Sequence, residues 1–388
     1  MTFRAARLSA LHAASFLAFG IYIPFFPVWL QSRGLDASAI GVILAIPIAV
    51  RVLATRPLVG LADGPVGARR VLLASHAANV VLFAALLLAP GPVAIGAIVA
   101  ATAVAQAPIM ALNDLVTLQA VRERPLLRYG SIRVWGSVAF LAASVSGGFV
   151  TAAHPDVVVL LLAALPALGV AATLRALPRS APERQRPGDG TGAPLPFPRR
   201  LWLVIAAASC IQASHAAVYA FGSLHWRDLG FPEPTVGALW AFSVAAEIGC
   251  FAALGRAART RRGALRLLAL GAVAAAVRAA GLALTDSLAL TFVVQALHAF
   301  SFAGTHIATL ALVSELSPEG ARGKAQGWMG TAIACASALA TVGSGVLYRA
   351  AGPIVFAAMA PLALAGLLLT LAAARSVEPQ ASGPAFRG

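Results

Sequence analysis

Glu247, Arg278 and His298 lie deep inside long apolar runs, where a membrane-crossing helix would ordinarily carry no ionisable group. An acid, a fixed cation and an imidazole are what proton coupling needs. The carboxyl can carry a proton, the guanidinium can hold its anionic form, and the imidazole can relay a proton or donate to a substrate. A carboxyl at mid-bilayer costs roughly 2.5–3.5 kcal/mol even on a lenient scale, so Glu247 should face a cavity and have a partner. The competing reading is a static ion-paired core that orients helices. Each of the three falls about eleven to fourteen residues into its run. With a uniform rise per residue along a helix, that predicts a shared depth.

Other polar residues could bind a substrate. Gln212, His215 and Tyr219 are spaced i, i+3, i+7 and share one helical face, so they line a cavity or tie one helix to another. Trp240 lies two turns before Glu247 on the same face and could wall an aromatic ligand or anchor the helix end at the interface. Arg133 carries a planar fork suited to gripping a carboxylate, and Asp114 could hold it until substrate arrives. The same Asp114–Arg133 pair would equally serve as a gate or a plain inter-helix tie. Arg51 is a second anion-site candidate, or a partner for Glu247. His306 is eight residues beyond His298 on the same run, too far along a helix for one metal ion to bridge. Cys210, Cys250 and Cys335 lie in apolar runs and read as small hydrophobes. No nucleophile–base pair, metalloprotease helix or phosphate-cradling loop is present, so neither an enzyme nor a cofactor is expected.

The elements that must position these residues follow from hydropathy. With 60% hydrophobic and 11% charged residues, the chain reads as an all-α protein of the lipid bilayer. Spanning segments are expected at about 8–31, 38–62, 69–89, 93–113, 130–153 and 157–176. Six more follow at about 201–225, 235–256, 264–284, 287–311, 324–348 and 352–374. A Pro-, Gly- and Arg-rich linker over 177–200 separates a bundle at 1–176 from a bundle and tail at 201–388. The net charge of +15 comes from short basic clusters between apolar runs, which is a topology signal and no nucleic-acid surface. Those clusters alternate along the chain and place both termini and the linker in the cytoplasm. Pro24 and Pro27 are expected to break the first span near its outer end.

The halves also repeat. Gly34-Leu35 and Ile40-Gly41 recur as Gly230-Phe231 and Val236-Gly237 at one fixed offset, and the same offset sets Arg51 opposite Glu247. Two six-helix halves related by an axis along the membrane normal are the pattern of a major facilitator transporter.

Three stretches carry a closer likeness: RYGSIRVWGSVAF at 128–140, QASHAAVYAFGSLHW at 212–226 running on to VGALWAFSVAAE at 236–247, and VVQALHAFSFAGTH at 293–306. With twelve spans and the loop GLADGPVGARR at 60–70, the chain resembles the major facilitator superfamily, and within it the phenylpropionate permease family. It departs from that pattern at Arg128, where the family carries an acid, and at Val218, where it carries an aromatic. The resemblance implies a monomeric proton symporter of the bacterial inner membrane for an aromatic carboxylate such as 3-phenylpropionate. A nucleoside–proton symporter or drug–proton antiporter of the same fold is the alternative.

Overall fold

The computed structural model describes residues 3–124, 126–177, 197–254 and 257–376. Among the described residues twelve helices are long and apolar enough to cross a membrane. They are α1 (Phe3–Ser32), α2 (Ala37–Gly60), α3 (Gly67–Leu88), α4 (Pro92–Glu123), α5 (Tyr129–Thr151) and α6 (Asp156–Ala176). The second set is α7 (Arg199–Asp228), α8 (Glu233–Leu254), α9 (Arg261–Leu284), α10 (Leu288–Leu316), α11 (Arg322–Ala351) and α12 (Ile354–Arg375). Two six-helix bundles result, and most of the expected linker lies outside the described residues.

The expected break in the first span is absent: α1 runs unbroken through Pro24 and Pro27. Pro24 has no N–H for the Gly20 carbonyl four residues back. The Ser144 hydroxyl of α5 donates to that carbonyl at 3.1 Å, so a neighbouring helix supplies the missing bond. Breaks occur elsewhere, at Ala107-Pro108 in α4, Ser214-His215 in α7, Leu297-His298 in α10 and Met359 in α12. Just after the break in α10, residues Ala299–Gly304 widen into a π-turn, a distortion that often marks functional sites.

The repeat is visible in glycine geometry. Gly34 and Gly230 both end a helix at positive φ, 76° and 85° respectively, the backbone region where a glycine costs nothing. Gly41 and Gly237, seven residues on, both sit where the bundles touch. A Cβ on Gly41 would fall 2.9 Å from the Gly345 Cα in α11, and one on Gly237 would collide with the Ser144 carbonyl in α5. Gly148 similarly abuts the Glu233 backbone. These small residues let α2 pack on α11 and α5 on α8 at backbone distance.

The contacts cluster at one end. Near that face a single apolar core mixes residues of both halves, including Phe25, Trp29 and Ile40 with Phe221, Trp240 and Phe356. Toward the face bearing the chain ends the cores separate. Two clusters hold only C-terminal residues, one with Val204, Leu268 and Leu312 and a smaller one with Cys250, Ala299 and Ala303, and two others hold only N-terminal ones. The bundles are therefore sealed at one face and parted at the other.

Candidate functional site

The break in α7 turns His215 into the C-terminal bundle. Its Nδ1 donates to the Ile211 carbonyl at 3.0 Å, so Nε2 is left to accept from the Ser301 hydroxyl at 3.0 Å. The first bond fixes the tautomer and the second uses it. The π-turn of α10 is what presents Ser301 one turn after His298. His298 sits with its Nε2 3.7 Å from Glu247 Oε2, the two side chains 5% and 19% exposed. That separation lets an ion pair form when the imidazole is protonated. His298 Nδ1 has no hydrogen-bond partner.

Around this pair stands an aromatic ladder. His215 stacks on Tyr219 at 6.0 Å and Tyr219 on Trp240 at 5.7 Å, while Phe302 stacks on His298 at 5.1 Å. Offset stacks at such centroid distances are favourable. Trp240 is buried behind Tyr219, its indole donating to Ser223 at 2.8 Å, so Tyr219 is the more accessible ring. Gln212, on the same face, leaves its Oε1 unbonded.

Arg278 stands apart from Glu247. Its Nη2 donates to Gln295 Oε1 at 2.7 Å, and Gln295 in turn donates to Ser243 at 2.9 Å. The expectation of a shared depth counted residues from the start of each span, but α8 and α9 run in opposite directions. Glu247 lies fourteen residues from the sealed end of α8, whereas Arg278 lies six residues from the sealed end of α9. At the helical rise these are depths of about 21 Å and about 9 Å. The site therefore has two layers: Arg278, Gln295 and Ser243 above, and Glu247, His298, His215 and Ser301 below. Gln295, Ser243 and Ser301 were not among the sequence candidates. The spacing 295, 298, 301 on one span was the available signal.

The N-terminal half places its charges where the bundles part. Arg133 Nε lies 4.0 Å from Asp114 Oδ1, with the side chains 29% and 38% exposed. Asp114 accepts from the Tyr129 hydroxyl at 2.8 Å, and the Arg133 guanidinium lies over the Phe16 ring at 4.1 Å, a cation–π contact. Arg51 is exposed on α2 and donates to its own helix at Pro47, without contact to Glu247. Among the described residues no group of three acidic, His or Cys side chains could hold a metal ion.

Among the described residues, twelve spans in two repeated bundles, sealed at one face around buried polar residues, have the architecture of a major facilitator transporter. Residues 6–358 match the MFS_1 like family, and the chain belongs to it. It is 31% identical over 365 residues to the probable 3-phenylpropionic acid transporter of Escherichia coli (strain K12), covering 91% of this chain and 94% of that one. Identity to the maltose permease of Geobacillus stearothermophilus is 30% over 272 residues, covering 68% and 67%. In structure the chain is similar to the nucleoside transporter NupG, with TM-score 0.81, 16% identity and coverage of 97% and 100%. It is also similar to a bacterial homologue of the human lysosomal transporter Spinster in an inward-facing, unoccupied conformation, with TM-score 0.73, 13% identity and 96% coverage of both chains. These relatives are membrane transporters, and the chain is a multi-pass membrane transporter.

Proposed function

We propose that this transporter carries a small aromatic carboxylate together with protons, by alternating access. The observation that carries the reading is the Glu247–His298 pair beside the Tyr219 ring, an ionisable pair and an aromatic surface brought together within the C-terminal bundle. The curated relative described as a probable 3-phenylpropionic acid transporter supports the substrate class. The basic clusters lie at the parted face, so we read that face as cytoplasmic, the termini as cytoplasmic and the conformation as inward-open, in the bacterial inner membrane.

On this reading the substrate anion is met by Arg133, whose weak 4.0 Å hold on Asp114 leaves its fork free to grip a carboxylate. The proton resides on Glu247 or His298. Protonation cancels the Glu247 charge, and the neutral, loaded carrier then reorients by rocking one bundle against the other around the site.

The test is proton movement in sealed vesicles containing the purified protein. Adding 3-phenylpropionate should make the medium outside more alkaline, and a nucleoside should not. A signal with nucleoside alone would transfer the assignment to a nucleoside–proton symporter. No signal with 3-phenylpropionate would remove the aromatic-acid reading.

A further inference from the structure

Arg278 is 3% exposed. Its guanidinium meets one hydrogen-bond partner, the neutral Gln295 amide, and its Nε meets none. Among the described residues the ion pairs within the C-terminal bundle join Glu247 to His298, Arg227 to Glu233 and Arg261 to Glu315, and none includes Arg278. A buried cation facing only neutral groups carries a desolvation penalty that no opposite charge offsets. A side chain in that position calls for a counterion.

A crevice supplies the room. Arg278 lines a narrow space of about 10 Å³ between α7, α9 and α12, room for one small ion or water, and Ser214, His215, Ala275, Ala279 and Met359 line it too. No carboxylate is among its described lining residues, so the only formal charge on that wall is positive. His215 reaches it with both ring nitrogens engaged, by Ile211 and Ser301, so neither is free to hold an anion. The wall is otherwise mostly apolar, which suits a weakly hydrated ion of single charge. A divalent anion would need more donors than this wall offers.

We propose that this crevice is a monoanion-binding site, separate from the Glu247–His298 pair, with Arg278 as its cationic anchor. The ion is a halide such as chloride or the carboxylate end of an organic acid. The site compensates the Arg278 charge when filled. Because Arg278 belongs to the layer nearer the sealed face, occupancy also sets the charge against which that face opens. The site stands whether or not the transport reading does.

The experiment is equilibrium binding of radiolabelled chloride to the purified full-length chain in detergent, in gluconate buffer at fixed ionic strength. Saturable binding is expected for the unaltered protein, and its loss in Arg278→Gln. Ala279→Leu fills the crevice while keeping the guanidinium, and should also lose binding. It decides the matter if Arg278→Gln does not fold. Adding 3-phenylpropionate separates the two sources: displacement of chloride assigns the site to carboxylates as well, and unchanged chloride binding assigns it to halides. Absence of saturable binding by chloride, with no displaceable 3-phenylpropionate binding that Arg278→Gln removes, would overturn the proposal. So would binding that survives in both variants.

Discussion

The two halves of this protein accommodate charge within apolar helices in different ways. In the N-terminal half, Asp114 and Arg133 stay about a third exposed and are steadied by weak neighbours, a tyrosine hydroxyl and an aromatic face. In the C-terminal half, Arg278 and His298 are almost fully buried, Arg278 against the neutral Gln295 amide and His298 between the Glu247 carboxylate and an aromatic ring. An exposed cation can meet an arriving anion with little loss of hydration. A buried group can change its charge only by moving a proton or admitting a counterion. On the proposed reading the difference gives substrate-anion capture to the first half and proton handling to the second, with the sealed face as the place where the halves meet.

That division can be broken most forcefully at the seal. In Gly237→Leu the new side chain meets the Ser144 carbonyl, so α5 and α8 cannot close. Net transport in vesicles should be lost, while ligand binding to detergent-solubilised protein persists because neither half of the site is altered. The division between the halves is tested next by Arg133→Gln. Charge-assisted hydrogen bonds contribute roughly 1.5–3 kcal/mol each, so apparent carboxylate affinity should fall about ten- to a hundredfold. Arg133→Lys should lie between, having lost the fork but kept the charge. Unchanged affinity in both variants, measured by ligand binding, would move the anion site out of the N-terminal half.

Smaller effects sharpen the same picture. Tyr219→Leu removes the accessible ring of the ladder. An aromatic pair is worth roughly 0.5–1.5 kcal/mol. A few-fold loss of affinity is expected for a phenyl acid and almost none for an aliphatic acid of like size. Asp36→Asn removes the Arg349–Asp36 pair at the sealed face, at 3.0 Å but with both side chains well exposed. Such pairs contribute at most about 1 kcal/mol, so transport rate should shift no more than a few-fold. A large change there would mean that the seal depends on charge more than on the glycine contacts.

The fold was readable because hydropathy alone specifies spans: each of the twelve helices overlaps its expected segment, and the glycine repeat revealed the relation of the halves. The site was only partly readable. Glu247, His298 and Tyr219 announce themselves as polar or aromatic residues in apolar runs, and the structure gathers them. What failed to appear in the sequence is tertiary. The breaks at Ser214-His215 and Leu297-His298 contain no proline, so nothing local marks them. Arg278 looked level with Glu247 because residues were counted from opposite faces. Pro24, by contrast, looked like a breaker and is not, because Ser144 on another helix supplies the bond it removes.

The most direct test of proton handling by the C-terminal half compares two assays of Glu247→Gln in vesicles: uptake driven by an imposed proton gradient, and exchange of labelled for unlabelled substrate without one. Glutamine keeps the shape of the side chain and cannot carry the proton. Gradient-driven accumulation should be abolished, while exchange continues near the rate of the unaltered protein. Accumulation at the normal level in Glu247→Gln would contradict that assignment, and would place proton handling outside the C-terminal half.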